Sequence, residues 1–273
     1  MGRALALALA VAAVAGPGIP PGAYGAPGSP ATVNPAVFQL LTLTRADDSV
    51  VFEGTAFFIA PDGTALTNSH VVHFAHTDPA RYQLIALYGS EYYSVAVVCA
   101  SPLAAPPSPD GTQRTPVIGR DVAEIKLEPS RVMGAKVLQF RDGPNFSAHL
   151  TRLPAFRALR LGTDPAPGTR VRVTGYGLIQ ERLRVTPWEQ WTTTGVITAV
   201  AKAPDGTPVF RITSVDAPRP GNSGSPVLDE TDQVVGILVW ASVSDFAFSA
   251  GIAGSALRAP CRSTPSPRPR GRS

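Results

Sequence analysis

The chain is divided into short apolar runs by glycine and proline, and this division most constrains its fold. Its 273 residues include 25 Gly and 28 Pro, which interrupt helices and mark turns. The runs between them are rich in Val, Ile, Phe, Tyr and Thr, residues that favour strands. This composition argues against long helices and coiled coils and favours an all-β barrel or sandwich.

Strand-like segments follow one another along most of the chain. Short helices are predicted over Val71–Ala75 and Ser255–Ala259, and loops over Ala100–Gly119 and Phe140–Pro154. Strands are predicted over Val37–Thr44, Val50–Ile59, Ala65–Thr67, Tyr82–Tyr88, Tyr92–Val98, Val122–Leu127, Arg170–Thr174, Trp191–Val200, Pro208–Thr213, Val234–Trp240 and Phe246–Ile252.

The net charge of +4 comes from the two ends of the chain. Of the 24 basic residues, six are arginines in the terminal segments. The remaining 18 basic residues and the 20 acidic residues give the body of the chain a net charge of −2. The body therefore lacks the basic face of a nucleic-acid binder, and no nucleic-acid partner is expected. Residues 260–273 are predicted to be a disordered basic tail. The six terminal arginines are Arg3, Arg258, Arg262, Arg268, Arg270 and Arg272.

The first residues have the pattern of a secretory signal peptide. A positive start at Met1–Arg3 precedes the apolar run Ala4–Ala15, which ends in small residues suited to cleavage. We predict a signal peptide over 1–15, a flexible lead-in over 16–35, and a secreted or periplasmic protein without stable membrane insertion after cleavage. An uncleaved N-terminal anchor is the alternative.

The chain has two cysteines, Cys99 in an apolar run and Cys261 in the tail. They could pair in an exported protein, but one bridge does not make a disulfide framework. Two unpaired thiols agree equally well with the sequence, so it leaves the pairing open.

A serine flanked by glycines is the strongest candidate for chemistry. Ser223 lies in the segment Gly221–Pro226, and a nucleophilic serine needs a tight, exposed turn. The backbone N–H groups of Gly221 and Ser223 would converge there on a developing oxyanion. The alternative is a plain Gly/Ser turn between strands.

A base and a carboxylate are available to activate that serine. His70 stands at the end of a predicted strand, a rigid position among small residues, and Asp121 stands at the head of an apolar strand, where it could orient the imidazole. Asp121 could instead be a strand-start cap. His73 and His76 continue an i, i+3, i+6 spacing from His70, but no Cys or carboxylate joins them, so no metal or other cofactor is expected. His149 is interpreted, like His73 and His76, as a surface or loop histidine.

Three segments resemble a known family. Gly54–Val72, Asp121–Leu127 and Gly221–Val227 followed by Val234–Ile237 resemble the His, Asp and Ser segments of bacterial trypsin-like serine peptidases. The most similar forms are the peptidase domains of the HtrA/Deg group and the glutamyl endopeptidases. The order His, Asp, Ser is that of the chymotrypsin-type fold.

The resemblance implies an all-β fold of two six-stranded antiparallel β-barrels with the active site in the cleft between them. Residues 36–155 would form the N-terminal barrel with His70 and Asp121, and residues 156–259 the C-terminal barrel with Ser223. It also implies a secreted serine endopeptidase acting on proteins or peptides, with Gly221 and Ser223 as the oxyanion hole. The sequence does not indicate an oligomeric state.

Two other functions compete with the endopeptidase. A binding protein on the same fold that has lost activity is the main alternative. A secreted β-sandwich adhesion domain whose motifs are coincidental is the third. The presence of all three candidate residues of the triad opposes the inactive binding protein, whereas the change at Val239 and the prolines that flank the oxyanion segment favour it.

The chain departs from its relatives at several positions. Asn222 replaces the Asp that pairs with a newly cleaved N-terminus in digestive members, so activation by such a cleavage is not expected. Val239 replaces a serine that commonly supports the catalytic Asp. Because 14 residues follow Ala259, no PDZ domain of the HtrA type is expected after the peptidase domain.

The resemblance places a substrate pocket in the second barrel. The predicted pocket suits a small or medium apolar side chain, while Arg219 leaves an acidic preference open. The predicted substrate-binding residues are Ala217, Val239, Trp240, Ala241 and Gly251.

Overall fold

The computed structural model describes seven stretches of the chain, residues 33–103, 119–130, 137–139, 143–177, 189–214, 221–241 and 249–260. The predicted signal peptide, most of the lead-in and the tail from Cys261 onward lie outside the described residues. The strands are β1 (Val37–Thr44), β2 (Val50–Phe58), β3 (Thr64–Thr67), β4 (Tyr82–Tyr88), β5 (Glu91–Ala100), β6 (Ala123–Glu128), β7 (Leu138–Gln139), β8 (Asn145–Ala148), β9 (Arg170–Gly175), β10 (Trp191–Lys202), β11 (Pro208–Ser214), β12 (Pro226–Leu228), β13 (Val234–Ala241) and β14 (Ser249–Ala253). The helices are α1 (Ser69–Thr77) and α2 (Gly254–Leu257).

The first six strands form a closed antiparallel barrel. They are hydrogen-bonded in the order β4-β1-β2-β3-β6-β5, and β4 pairs with β5 to close the ring. Alternate side chains of each strand point inward, so Phe38, Phe58 and Ile125 fill a fully buried core. Phe156 completes this core by stacking on Phe58 at 4.3 Å between ring centroids.

Two short strands extend this barrel, and the second of them lies where a loop is predicted. β8 pairs in parallel with the start of β5, and β7 pairs with β8. The predicted loop over Phe140–Pro154 is therefore wrong at β8. The physical reason is tertiary, since Phe146 and Leu138 pack on Leu41 and Tyr92 on the outside of the barrel, and a four-residue segment carries no such signal by itself.

The last six strands form the second closed barrel, in the order β10-β11-β14-β13-β12-β9. Phe210 lies in its core and occupies space left by two glycines. A Cβ atom at Gly236 or Gly251 would collide with the Phe210 ring. The architecture is thus all-β with two six-stranded antiparallel barrels, which confirms the predicted fold class.

The helices are short and lie at the edges of the barrels. α1 begins two residues earlier than predicted and includes His70, so the expectation that His70 ends a strand is wrong. Thr67 ends β3, and Asn68, in an extended conformation, precedes the first turn of the helix. In the described part of the chain, neither helix is long and apolar enough to cross a membrane.

Apolar residues and polar links join the two barrels. Phe57 and Leu66 of the first barrel pack in one buried cluster with Ile237 of the second. Asp205 in the β10–β11 turn accepts a hydrogen bond from the Arg120 N–H at 2.8 Å. The segment that leads into Asp121 is therefore held by the second barrel as well as by the first.

Cys99 of β5 is disulfide-bonded. The other cysteine of the sequence is Cys261, which follows the last described residue.

Candidate active site

Strand pairing brings His70 and Asp121 together. Thr67, the last residue of β3, is paired with Ala123, the first residue of β6. His70 follows β3 and Asp121 precedes β6, so the antiparallel pairing places them at the same end of the two strands. Two side-chain hydrogen bonds add to this pairing. Asn68 Nδ2 donates to the Asp121 carbonyl oxygen at 2.7 Å, and Ser69 Oγ donates to the Val122 carbonyl oxygen at 2.8 Å.

The carboxylate of Asp121 accepts two hydrogen bonds from His70. His70 Nδ1 lies 2.5 Å from Oδ2, and the His70 backbone N–H donates to Oδ1 at 2.9 Å. The Asp121 side chain is fully buried, and the His70 side chain is 13% exposed. Because Nδ1 bonds to the carboxylate, the ring is fixed in orientation and its Nε2 atom stays available for proton transfer.

Ser223 lies on a turn between two glycines with left-handed backbone conformations. The φ angles are 92° at Gly221 and 89° at Gly224, a region that favours glycine. The Ser223 hydroxyl donates to the Val239 carbonyl oxygen at 3.3 Å. Among the described residues, no hydrogen bond joins this hydroxyl to His70.

The turn Gly221–Gly224, called the nucleophile turn after the predicted role of Ser223, is hydrogen-bonded to β13 and to the first barrel. The Gly224 N–H donates to the Leu238 carbonyl oxygen at 3.0 Å, and the Thr55 N–H donates to the Ser223 carbonyl oxygen at 2.8 Å. The N–H groups of Gly221 and Ser223 have no acceptor within the described part of the chain. These are the two residues that the sequence predicts as an oxyanion hole.

Polar neighbours of the turn are the residues that sequence reasoning missed. Asn222 is 1% exposed, and its Nδ2 donates to the Tyr176 carbonyl oxygen at 2.7 Å. Thr55 connects the turn to β2 through its backbone and its hydroxyl. Thr55 stands inside the Gly54–Val72 motif, which was the one available signal, whereas nothing in the sequence points to Tyr176.

The predicted substrate-binding residues fall in different environments. Ala217 lies outside the described residues. Val239 is 8% exposed and its carbonyl oxygen binds the Ser223 hydroxyl. Trp240 and Ala241 continue β13 and pair with β14. A side chain at Gly251 would point at Phe210 in the barrel core, so close packing accounts for the glycine there.

The remaining histidines form no hydrogen bond with Ser223 within the described part of the chain. Burial, with a smaller contribution from the charge of His76, lowers the pKa of His73. His149 Nδ1 lies 3.1 Å from Glu91 Oε2, and its ring stacks on Tyr93 at 4.7 Å. Among the residues that the structure describes, no three His, Cys, Asp or Glu side chains are grouped to hold a metal ion.

The chain is similar to known peptidases in sequence and in fold. A trypsin-like peptidase domain matches residues 54–237. The fold is similar to that of Deg5, with a TM-score of 0.54 and 16% identity over 82% of this chain and 86% of Deg5. It is also similar to the active form of the Rv3671c protease from M. tuberculosis, with a TM-score of 0.52 and 20% identity over 87% of this chain and 84% of that protein. No curated protein sequence matches the chain. The domain match includes His70, Asp121 and Ser223 and covers more than half of the chain, which therefore belongs to the trypsin-like peptidase family, a family of serine peptidases.

Proposed function

We propose that this protein is an exported serine endopeptidase that cleaves peptide bonds through His70, Asp121 and Ser223. The observation that carries the proposal is the buried carboxylate of Asp121 with two hydrogen bonds to His70. This contact keeps the imidazole in the tautomer that can accept a proton at Nε2. The trypsin-like peptidase domain match, which includes His70, Asp121 and Ser223, supports the same assignment.

The reaction follows from these groups. Ser223 Oγ turns from the Val239 carbonyl toward His70 Nε2, transfers its proton to that atom and attacks the substrate carbonyl carbon. The N–H groups of Gly221 and Ser223 stabilise the negative oxygen that forms. His70 then protonates the leaving amine, the C–N bond breaks and the acyl-enzyme remains on Ser223. In the second half, water gives a proton to His70 Nε2 and attacks the acyl carbon, and His70 returns the proton to Ser223 Oγ as the product leaves.

A catalytically inactive binding protein is the second candidate, and one contact favours it. The Ser223 hydroxyl binds the Val239 carbonyl oxygen at 3.3 Å instead of His70. If this contact persisted in the presence of substrate, the serine would not be activated. The two candidates therefore differ in whether Ser223 reacts.

Export is supported by two independent features. The first is the signal-peptide pattern of residues 1–15. The second is the disulfide at Cys99, because disulfides persist in oxidising compartments and are rare in the cytosol. We therefore propose a secreted or periplasmic location.

Reaction with a fluorophosphonate probe tests the function. Wild type is expected to become labelled, and Ser223→Ala to lose labelling and at least about 10³-fold in peptide turnover, because triad residues act as a unit. Ser225→Ala is the matched control, since the Ser225 hydroxyl is buried with no hydrogen-bond partner among the described residues and its removal should leave labelling unchanged. A folded wild type that is not labelled would support the inactive binding protein.

A further inference from the structure

Thr55 of β2 touches both residues of the proposed oxyanion hole. Its backbone N–H donates to the Ser223 carbonyl oxygen at 2.8 Å, and its hydroxyl donates to the Gly221 carbonyl oxygen at 3.0 Å. Thr55 is fully buried, so water does not compete for these bonds. We propose that Thr55 is a positioning residue that aligns the oxyanion hole, an inference that rests on the proposed peptidase function.

The hydroxyl of Thr55 both donates and accepts a hydrogen bond. It accepts a hydrogen bond from the Tyr176 N–H at 3.0 Å, and its single hydrogen is directed to Gly221. The Tyr176 carbonyl oxygen is a second potential acceptor at 3.4 Å, but Asn222 Nδ2 already donates to that oxygen at 2.7 Å. The shorter bond to Gly221 is therefore the favoured one.

Gly221 is the residue of the turn that most needs an external anchor. Glycine populates positive and negative φ about equally, so Gly221, at φ 92°, could rotate its N–H away from the oxyanion at little cost. A hydrogen bond to its carbonyl oxygen holds the following peptide plane and limits that rotation. Thr55 supplies this bond from the first barrel, across 166 residues of sequence.

Thr55 is itself held by the strand that leads to His70. Thr67 Oγ1 donates to the Thr55 carbonyl oxygen at 2.7 Å, and Thr67 is the last residue of β3. The same residue thus contacts the nucleophile turn on one side and the end of β3 on the other. Thr55 thereby couples the two halves of the proposed site.

Thr55→Val is the sharpest perturbation because it keeps the branched shape and the N–H bond to Ser223 and removes only the hydroxyl. We expect kcat to fall about 10- to 100-fold, below the full effect of deleting an oxyanion donor, with KM changed by less than about 3-fold. The inhibition constant of a peptide aldehyde, which forms an oxyanion on Ser223, should rise by the same factor. Thr55→Ser should keep kcat within about 3-fold of wild type.

A control variant separates positioning from stability. Thr174 is buried at 2% exposure, and its hydroxyl bonds to that of Thr192 at 3.1 Å in the second barrel. Thr174→Val should lower the melting temperature without changing kcat or aldehyde inhibition. If Thr55→Val does not fold, Thr55→Ala removes the same hydroxyl with less volume and has the same expected kinetics.

The outcomes distinguish this proposal from the proposed function. A folded Thr55→Val, or Thr55→Ala in its place, with wild-type kcat and aldehyde inhibition would overturn the role of Thr55 and leave the peptidase function intact. An equal loss of kcat in Thr55→Ser would also overturn it, because the hydroxyl is kept there. A wild type without labelling or turnover would refute the peptidase function and this inference with it.

Discussion

Glu53 of β2 carries a partly buried carboxyl group. It follows Phe52, whose ring contacts that of His70 at 5.9 Å between centroids. Its Oε2 atom is buried and has no hydrogen-bond partner within the described part of the chain. Burial raises the pKa of the Glu53 carboxyl from 4.5 to about 6.

The size of the effect follows from this pKa. A difference of one in pKa corresponds to about 1.36 kcal/mol, so the rise from 4.5 to about 6 corresponds to about 2 kcal/mol. The folded state binds the proton more tightly than the unfolded state, so stability falls as the pH rises from 4.5 to about 6 and the cost is constant above that. Below pH 4.5 both states are protonated and the cost disappears.

Glu53→Gln removes this ionisation and keeps the shape of the side chain. The free energy of unfolding of Glu53→Gln relative to wild type is expected to rise by about 2 kcal/mol between pH 4 and pH 8. Urea unfolding at intervals of one pH unit measures it, with Ser223→Ala in both proteins to prevent self-cleavage. A constant difference between the variant and wild type across this range would refute the reasoning.

An exposed glutamate provides the matched control. Glu230 is exposed, so Glu230→Gln reports the general effect of removing one negative charge. Its unfolding free energy relative to wild type should change by less than about 0.5 kcal/mol between pH 4 and pH 8. An equal pH dependence in both variants would show that the net charge, and not the burial of Glu53, is responsible.

Two further predictions concern the site and its turn. Asp121→Asn should lower kcat about 10⁴-fold in a peptide assay, because an amide stabilises the wrong His70 tautomer; a loss below about 10-fold would contradict the assigned role. Gly224→Ala should lower the free energy of unfolding, measured in urea, by about 3 kcal/mol. Gly224 has a φ of 89°, and a Cβ atom there would collide with the Thr55 carbonyl oxygen. Gly206→Ala is the control, because Gly206 has a φ of 83° and a Cβ atom there would meet nothing within 4 Å. Its free energy of unfolding should fall by about 1 kcal/mol, and equal losses in the two variants would refute the collision.

Much of the fold could be predicted because its signals are local. Alternating apolar residues and turn dipeptides mark strands such as Val37–Thr44, which the structure reproduces as β1. The sequence does not predict the short strand β8, because its stability comes from contacts of Phe146 with residues of β1 and β5. It places the start of α1 two residues too late, because Asn68 makes no side-chain cap bond that a sequence pattern would reveal.

The sequence by itself determined the fold class and the candidate residues His70, Asp121 and Ser223, since each stands in a short motif whose chemistry is local. Tertiary structure alone decided which atoms meet. The contact of Thr55 with Gly221 and the burial of Glu53 depend on how the chain packs in three dimensions. Thr55 and Gly221 are 166 positions apart, and no periodic sequence pattern predicts a contact over that distance. Burial and hydrogen bonding are properties of the packed molecule, so the pKa of Glu53 and the anchoring of the nucleophile turn can be read only there.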